Sequence, residues 1–174
     1  MPIGASRAFS PVLEFFEHEK PTTILDIGVG SGAWGMLFRE YSDIMNRRYT
    51  KDKWLARIDG VEGFLPYMNS AYDFYNEVYF MKIQDFEPPI TYDFVYAGDI
   101  IEHLTDDEGL ELINKFDKST LVITTPHLWY VTEDDYMGNE LERHKTLWDA
   151  ERFERLGFKI LCREYPVIAY RKPE

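Results

Sequence analysis

A chain of 174 residues with 45% apolar and 16% aromatic side chains is long enough to bury a core and too apolar to be disordered. Its 31 acidic and 19 basic residues leave a formal net charge of −12, which disfavours a nucleic-acid partner because phosphate backbones are bound chiefly through basic patches. Cys162 is the single cysteine, excluding an internal disulfide and a thiolate metal cluster. No apolar run has bilayer-spanning length and "MPIGASRAF" lacks a signal-like apolar core, so the expectation is one domain over residues 1–174, cytoplasmic and without membrane contact.

Taken in chain order, Phe9, Val12, Leu13 and Phe16 recur at helical spacing and predict an opening helix, with Pro11 tolerated in its first turn. "TTILDIG" reads as a buried strand running into glycines. Trp34, Leu37, Phe38, Tyr41, Ile44 and Met45 form the apolar face of the next helix. Residues 47–53 are charged and predict an exposed loop. "WLARIDGVE" is the second strand, followed by a helix with Leu65, Met68, Tyr72 and Tyr75 on one side. "EVYFMKI" and "YDFVYAG" are the third and fourth strands, joined through Pro88 and Pro89 with little room for a helix. Thr105 caps a helix through Leu110, Leu112, Ile113 and Phe116, and "STLVITT" is a fifth strand stopping at Pro126. Thr146, with Asp149 three residues on, predicts a helix start, and Gly157 its end. "FKILCRE" and "VIAYRK" flank Tyr165-Pro166 closely enough for an antiparallel hairpin. The alternation predicts an α/β fold, a doubly wound, seven-stranded, mostly parallel sheet ending in that hairpin.

The stretch "ILDIGVGSGAWG" carries two nucleotide-binding patterns in overlapping registers. Gly28-x-Gly30-x-Gly32 is one. Gly30-x-Gly32-x-x-Gly35, the dinucleotide spacing, is the other. Asp26 separates them. In the dinucleotide register it lies inside a buried strand, where an unpartnered charge is costly. In the first register the strand ends near Asp26, the carboxylate sits at the ligand-binding edge, and Gly35 becomes a packing position in the helix.

"LDIGVGSGAWG" resembles the first motif of the class I S-adenosylmethionine-dependent methyltransferases. The resemblance continues through Glu62, Asp85-Phe86, "YDFVYAGDIIEHL", "LVITTP" and the closing hairpin, nearly the whole chain from Thr22 onward. It implies S-adenosylmethionine as cofactor, with Asp26 and the backbone of Gly28, Gly30 and Gly32 holding the methionine end. Glu62 would accept both ribose hydroxyls, with Asp59 as a competitor for that role. Asp85 would accept from the adenine amino group, and Phe86 would offer a backbone N–H. Glu62 lies farther from the glycines than usual, a gap that an insertion around residues 47–53 accounts for.

Asp99, Glu102 and His103 cluster after the fourth strand, and His144 precedes Trp148 in "ERHKTLW". Asp99 also belongs to the expected cofactor wall. Both stretches resemble positions that hold a divalent metal in ubiquinone-pathway O-methyltransferases and in metal-dependent small-RNA 2′-O-methyltransferases. Asp99 stands where those families have glutamate, which shortens the reach. The expectation is therefore that no metal is bound, with His103 or His144 as general base and His127 a weaker rival.

The irregular segment 126–145 follows the fifth strand and carries Trp129, Tyr130 and Tyr136, which predicts a substrate-side loop. Its acids Glu133, Asp134, Asp135, Glu140 and Glu142 suit a neutral or cationic small-molecule acceptor better than RNA. Two other readings stand beside methyl transfer. One is NAD-dependent oxidoreduction, disfavoured by Asp26 and the closing hairpin. The other is a methyltransferase-like binding module or partner subunit, for which a homodimer is plausible given how little chain lies outside the core.

Overall fold

All seven predicted strands form, and they join one sheet. A computed structural model describes residues 5–126 and 138–173. Along the chain it places α1 (Phe9–Glu19), β1 (Thr23–Ile27), α2 (Ala33–Ser42), β2 (Arg57–Glu62), β3 (Glu77–Phe80), β4 (Phe94–Gly98), α3 (Asp106–Lys115), β5 (Thr120–Thr125), α4 (Ala150–Arg155), β6 (Lys159–Cys162) and β7 (Val167–Arg171). The strand order is β3-β2-β1-β4-β5-β7-β6. Strands β1 to β5 are parallel, and β7 runs antiparallel to both β5 and β6.

Alternation along the strands divides the core in two. Leu25, Ile27, Val95, Leu121 and Ile123 pack with Leu112 of α3 and Phe153 of α4. Their neighbours Ile24, Phe94, Tyr96 and Val122 pack with Phe16 of α1 and with Trp34 and Phe38 of α2. With both faces covered, all six residues of β5 are buried, the pattern of a central strand in a sheet between helical layers. Each such aromatic or aliphatic side chain contributes roughly 1.5–3 kcal/mol on burial. Sequence order reverses between β1 and β4, so the carboxyl ends of these two strands frame the crevice where open α/β sheets bind ligands.

Three local expectations are corrected. The helix predicted after β2 is absent, and the chain makes two 3-10 turns instead, Leu65–Tyr67 and Ser70–Phe74. Pro66 sits within the first, and the Asn69 side chain starts the second by accepting the Ala71 amide at 2.8 Å. Tyr67 and Tyr75 are consequently buried, whereas Leu65 and Met68 face solvent. Helix α2 stops at Ser42, before Ile44 and Met45. The next residue, Asp43, is buried and collects Arg39, Arg48 and the Leu55 amide. Helix α4 starts at Ala150 and not at Thr146, because Asp149 caps it by accepting the Arg152 amide at 2.7 Å. The Thr146 hydroxyl is committed elsewhere, to the Leu104 carbonyl at 3.0 Å and to Trp148 Nε1–H at 2.9 Å. The cap at Thr105 forms with Glu108 as a reciprocal box, and Gly157 follows α4 at φ +83°. Among the described residues, no helix is long and apolar enough to cross a membrane.

Candidate functional site

A cavity of about 310 Å³ opens at the carboxyl ends of β1, β2 and β4. Its floor is the glycine run. Strand β1 ends at Ile27, and the Gly28 amide bonds the Val61 carbonyl at 2.9 Å. Gly28, Gly30 and Gly32 all take left-handed conformations, at φ +79°, +54° and +81°. These are angles that only glycine adopts without strain, so the turn is built on the Gly28-x-Gly30-x-Gly32 register.

Gly35 has a different task. A Cβ there would lie 2.0 Å from Tyr75 Cζ, and one at Gly60 would lie 3.1 Å from the same ring and 2.4 Å from Val29. Tyr75 thus fills a slot between α2 and β2 that two glycines leave open. Its hydroxyl accepts the Gly35 amide at 3.0 Å and donates to Asp26 Oδ2 at 2.5 Å. Gly35→Ala is expected to destabilise the fold by about 1–3 kcal/mol through overpacking, measured by urea unfolding. An unchanged midpoint would show that Tyr75 has room to move.

Asp26 lies one residue inside the strand, not at its edge, and does not reach the cavity wall. It is fully buried, and its Oδ1 has no hydrogen-bond partner among the described residues. Burial pushes its carboxyl up to about 7, helped by the charge of Glu62 and opposed by the Tyr75 hydroxyl. A carboxyl whose pKa is raised on folding costs nothing below its unfolded pKa. As pH climbs past about 4 the unfolded chain releases the proton while the folded chain keeps it, so stability falls until pH passes the folded value. Asp26→Asn is therefore expected to raise the melting temperature at pH 8 and leave it little changed at pH 4. Equal effects at both pH values would mean that the carboxyl is not perturbed.

Glu62 closes β2 and does line the cavity. Oε2 accepts the Gly30 amide at 2.8 Å and Oε1 the Phe64 amide at 2.7 Å. Burial raises its pKa, and these two amides pull it back. Tyr72 donates its hydroxyl to the Gly30 carbonyl at 2.8 Å, so Gly30 is gripped from both sides. Asp59, the competitor for Glu62, faces away from the cavity, buried between Arg57 and the Tyr92 hydroxyl. Beyond β3, the wall is made by Met81, Lys82, Ile83 and Gln84. Asp85 is exposed, and Phe86 lies in the core with its amide spent on the Ile83 carbonyl at 3.3 Å, so neither expected adenine contact reaches the wall. Lys115 of α3 shapes this turn by donating to the carbonyls of Ile83, Gln84 and Phe86.

The opposite wall holds the acidic and histidine candidates. Asp99 follows β4 at φ +52°, a strained angle for a side-chain-bearing residue. Its carboxylate accepts the Ala5 amide at 3.0 Å and the Thr124 hydroxyl at 3.4 Å, and burial raises its pKa. Glu102 accepts the Thr125 hydroxyl at 2.9 Å, and burial, then Asp99, push its carboxyl well above the ordinary range. His103 and His144 meet edge-on, with ring centroids 4.9 Å apart. Burial lowers both imidazole pKa values, leaving the rings neutral near pH 7. Glu102, His103 and His144 each offer one donor atom within 4.8 Å of the others, and Asp99 is not part of that group. His103 Nδ1 is buried without a hydrogen-bond partner among the described residues. Three donors of the type that divalent metals favour, one of them unsatisfied, fit a metal ion.

His127, Glu133, Asp134, Asp135, Trp129, Tyr130 and Tyr136 lie outside the described residues. Sequence reading passed over Tyr67, Tyr72 and Tyr75 as site-building residues. The spacing of Tyr72 and Tyr75 suggested one face of a helix, and Tyr67 carried no signal of its own.

Six strands running one way with a reversed last strand, β7, inserted between β5 and β6, and a glycine turn after β1, make the fold of the class I S-adenosylmethionine-dependent methyltransferases. The N-terminal domain of EvdMO1, solved in the presence of S-adenosylhomocysteine and D-fucose, is 10% identical, with 99% of this chain and 85% of that one covered at a TM-score of 0.66. The methyltransferase domain of bacterial CtHen1-C is 13% identical, with 96% and 97% covered at 0.61. A Burkholderia thailandensis 1,6-didemethyltoxoflavin-N1-methyltransferase, solved with its didemethyltoxoflavin and S-adenosylhomocysteine bound, is 16% identical, with 100% and 93% covered at 0.55. No family model matches the sequence, and no curated protein matches it by sequence.

Proposed function

We propose that this chain transfers the methyl group of S-adenosylmethionine to an oxygen or nitrogen of a small-molecule acceptor. The observation that carries this reading is the buried Glu62 carboxylate at the end of β2, facing the cavity beside a glycine turn with three left-handed residues. Glu62 accepts the two ribose hydroxyls, since a carboxylate has lone pairs to spare beyond those taken by the Gly30 and Phe64 amides. Gly28, Gly30 and Gly32 let backbone approach the methionine end, above the Asp26–Tyr75 pair. Asp85 and Phe86 complete the turn on which Ile83 and Gln84 present the adenine side. Solved proteins of this fold with S-adenosylhomocysteine bound support the choice of cofactor.

When bound, S-adenosylmethionine supplies a methyl group already activated on a cationic sulfur. Glu62, Asp99 and Glu142 line the cavity and suit that cation. The chain's main task is alignment, which supplies roughly 7–11 kcal/mol in well-oriented reactions. His103 or His144, neutral and on the acceptor side, takes the acceptor's proton.

A second reading concerns a divalent cation, favoured by the donor cluster and the unsatisfied Nδ1. Glu102, His103 and His144 would hold it, and its chemistry there would be to acidify an acceptor hydroxyl. Calorimetry with S-adenosylhomocysteine, NAD and Mg²⁺ or Mn²⁺ tests these readings. Tight S-adenosylhomocysteine binding with none for NAD is the expected result. Binding of NAD alone would return the dinucleotide register, and binding of no nucleotide would favour the partner-subunit reading.

A further inference from the structure

We propose that Tyr67 and Glu142 are positioning residues that latch the segment carrying His144 onto the cofactor side of the cavity, so that the two halves of the site are set together. Tyr67 is buried, packs edge-on to Phe64 at 4.9 Å, and donates its hydroxyl to Glu142 Oε1 at 3.0 Å. Asn139 reinforces the junction. Its Nδ2 lies 3.3 Å from the same carboxylate oxygen and 3.4 Å from the Tyr67 hydroxyl, and its Oδ1 accepts the Leu141 amide at 3.0 Å. Leu141 then occupies the space over Gly63, where a Cβ would come within 2.6 Å of Leu141 Cδ1.

Gly63 and Phe64 immediately follow Glu62, and the Phe64 amide is bonded to the Glu62 carboxylate. One end of the segment therefore stands on the residues that fix the candidate ribose contact. The other end stands on the acceptor side, where the Lys145 and Thr146 amides donate to the Glu102 carbonyl at 2.7 and 3.1 Å. His144 lies between these two footings, against His103. Burial, with the charge of Glu142, pushes the Tyr67 hydroxyl up to about 12, so it keeps its proton and remains a donor throughout the neutral range. A short segment pinned at both ends transmits a change at Glu62 to His144 with few torsions to absorb it. A merely packed loop would not.

Hydrogen exchange of the amides in residues 139–146, together with the His144 ring resonances, tests the latch. In the ligand-free protein, Tyr67→Phe keeps the packed ring and removes only the hydroxyl. It is expected to speed exchange of these amides about tenfold. Glu142→Ala should do the same, whereas Glu142→Gln keeps an acceptor for Tyr67 and should stay close to wild type. The second arm rests on the cofactor reading above. S-adenosylhomocysteine should slow exchange across the segment and shift the His144 ring resonances in wild type, and Tyr67→Phe should bind it without that shift. Unchanged exchange in ligand-free Tyr67→Phe, or identical ring shifts in both proteins, would overturn the latch. If S-adenosylhomocysteine fails to bind wild type, the functional reading falls and the ligand-free arm still decides the latch.

Discussion

Glu62→Ala is expected to weaken S-adenosylhomocysteine binding by at least about 100-fold, measured by calorimetry. A hydrogen bond to a charged acceptor contributes roughly 1.5–3 kcal/mol, and the proposed ribose contact makes two. Truncation also strands the Gly30 and Phe64 amides that the carboxylate now satisfies, which loosens the turn on which the cofactor would rest. Glu62→Gln separates these effects. It retains one carbonyl oxygen for the Gly30 amide but no longer offers two charged acceptors, so an intermediate affinity is expected. Wild-type affinity in the alanine variant would place the ribose elsewhere on the wall.

His103→Ala is expected to lower methyl transfer by about 10²- to 10⁴-fold, the usual contribution of a positioned proton acceptor, with much less change in cofactor affinity. Its ring sits on the wall opposite the Glu62 carboxylate, in contact with His144 and beside buried Glu102. His144→Ala should cost a comparable factor if the two rings act as one unit, and the double variant should then be scarcely worse than either single one. The assay is transfer of labelled methyl groups to fractionated small-molecule extract. Exhaustive chelation distinguishes the two roles of the pair. Loss of activity on chelation, restored by Mn²⁺ or Mg²⁺, assigns the histidines to a metal, and full activity assigns them to proton transfer alone. Undiminished transfer by both His103→Ala and His144→Ala would remove both roles.

The class of fold was legible because its signals are local. Alternating apolar runs mark strands buried on both faces, glycines at every second position mark a turn that no other residue tolerates, and a proline between two short strands marks a hairpin. That Glu62 and not Asp59 lines the cavity was less legible, because both acids stand in the same strand and only the fold shows Asp59 turned to Arg57 and Tyr92. The segment after β2 was misread because Leu65, Met68, Tyr72 and Tyr75 match helical spacing by chance, while Pro66 and the Asn69 cap break the chain into short turns. The α4 start was misread because two capping residues stood three apart, and the choice depended on what else Thr146 could bond.

What the sequence by itself determined is the doubly wound sheet, the glycine turn after β1, and the wall on which Asp99, Glu102 and His103 stand. Tertiary structure alone decided three other things. Gly35 packs against Tyr75, Asp26 is sealed beneath the glycine turn, and His144 is carried across some forty residues to His103. The physical reason is that periodicity and turn chemistry act between near neighbours. The filling of a slot between two glycines, and the meeting of two imidazoles, depend on which distant surfaces the sheet brings together.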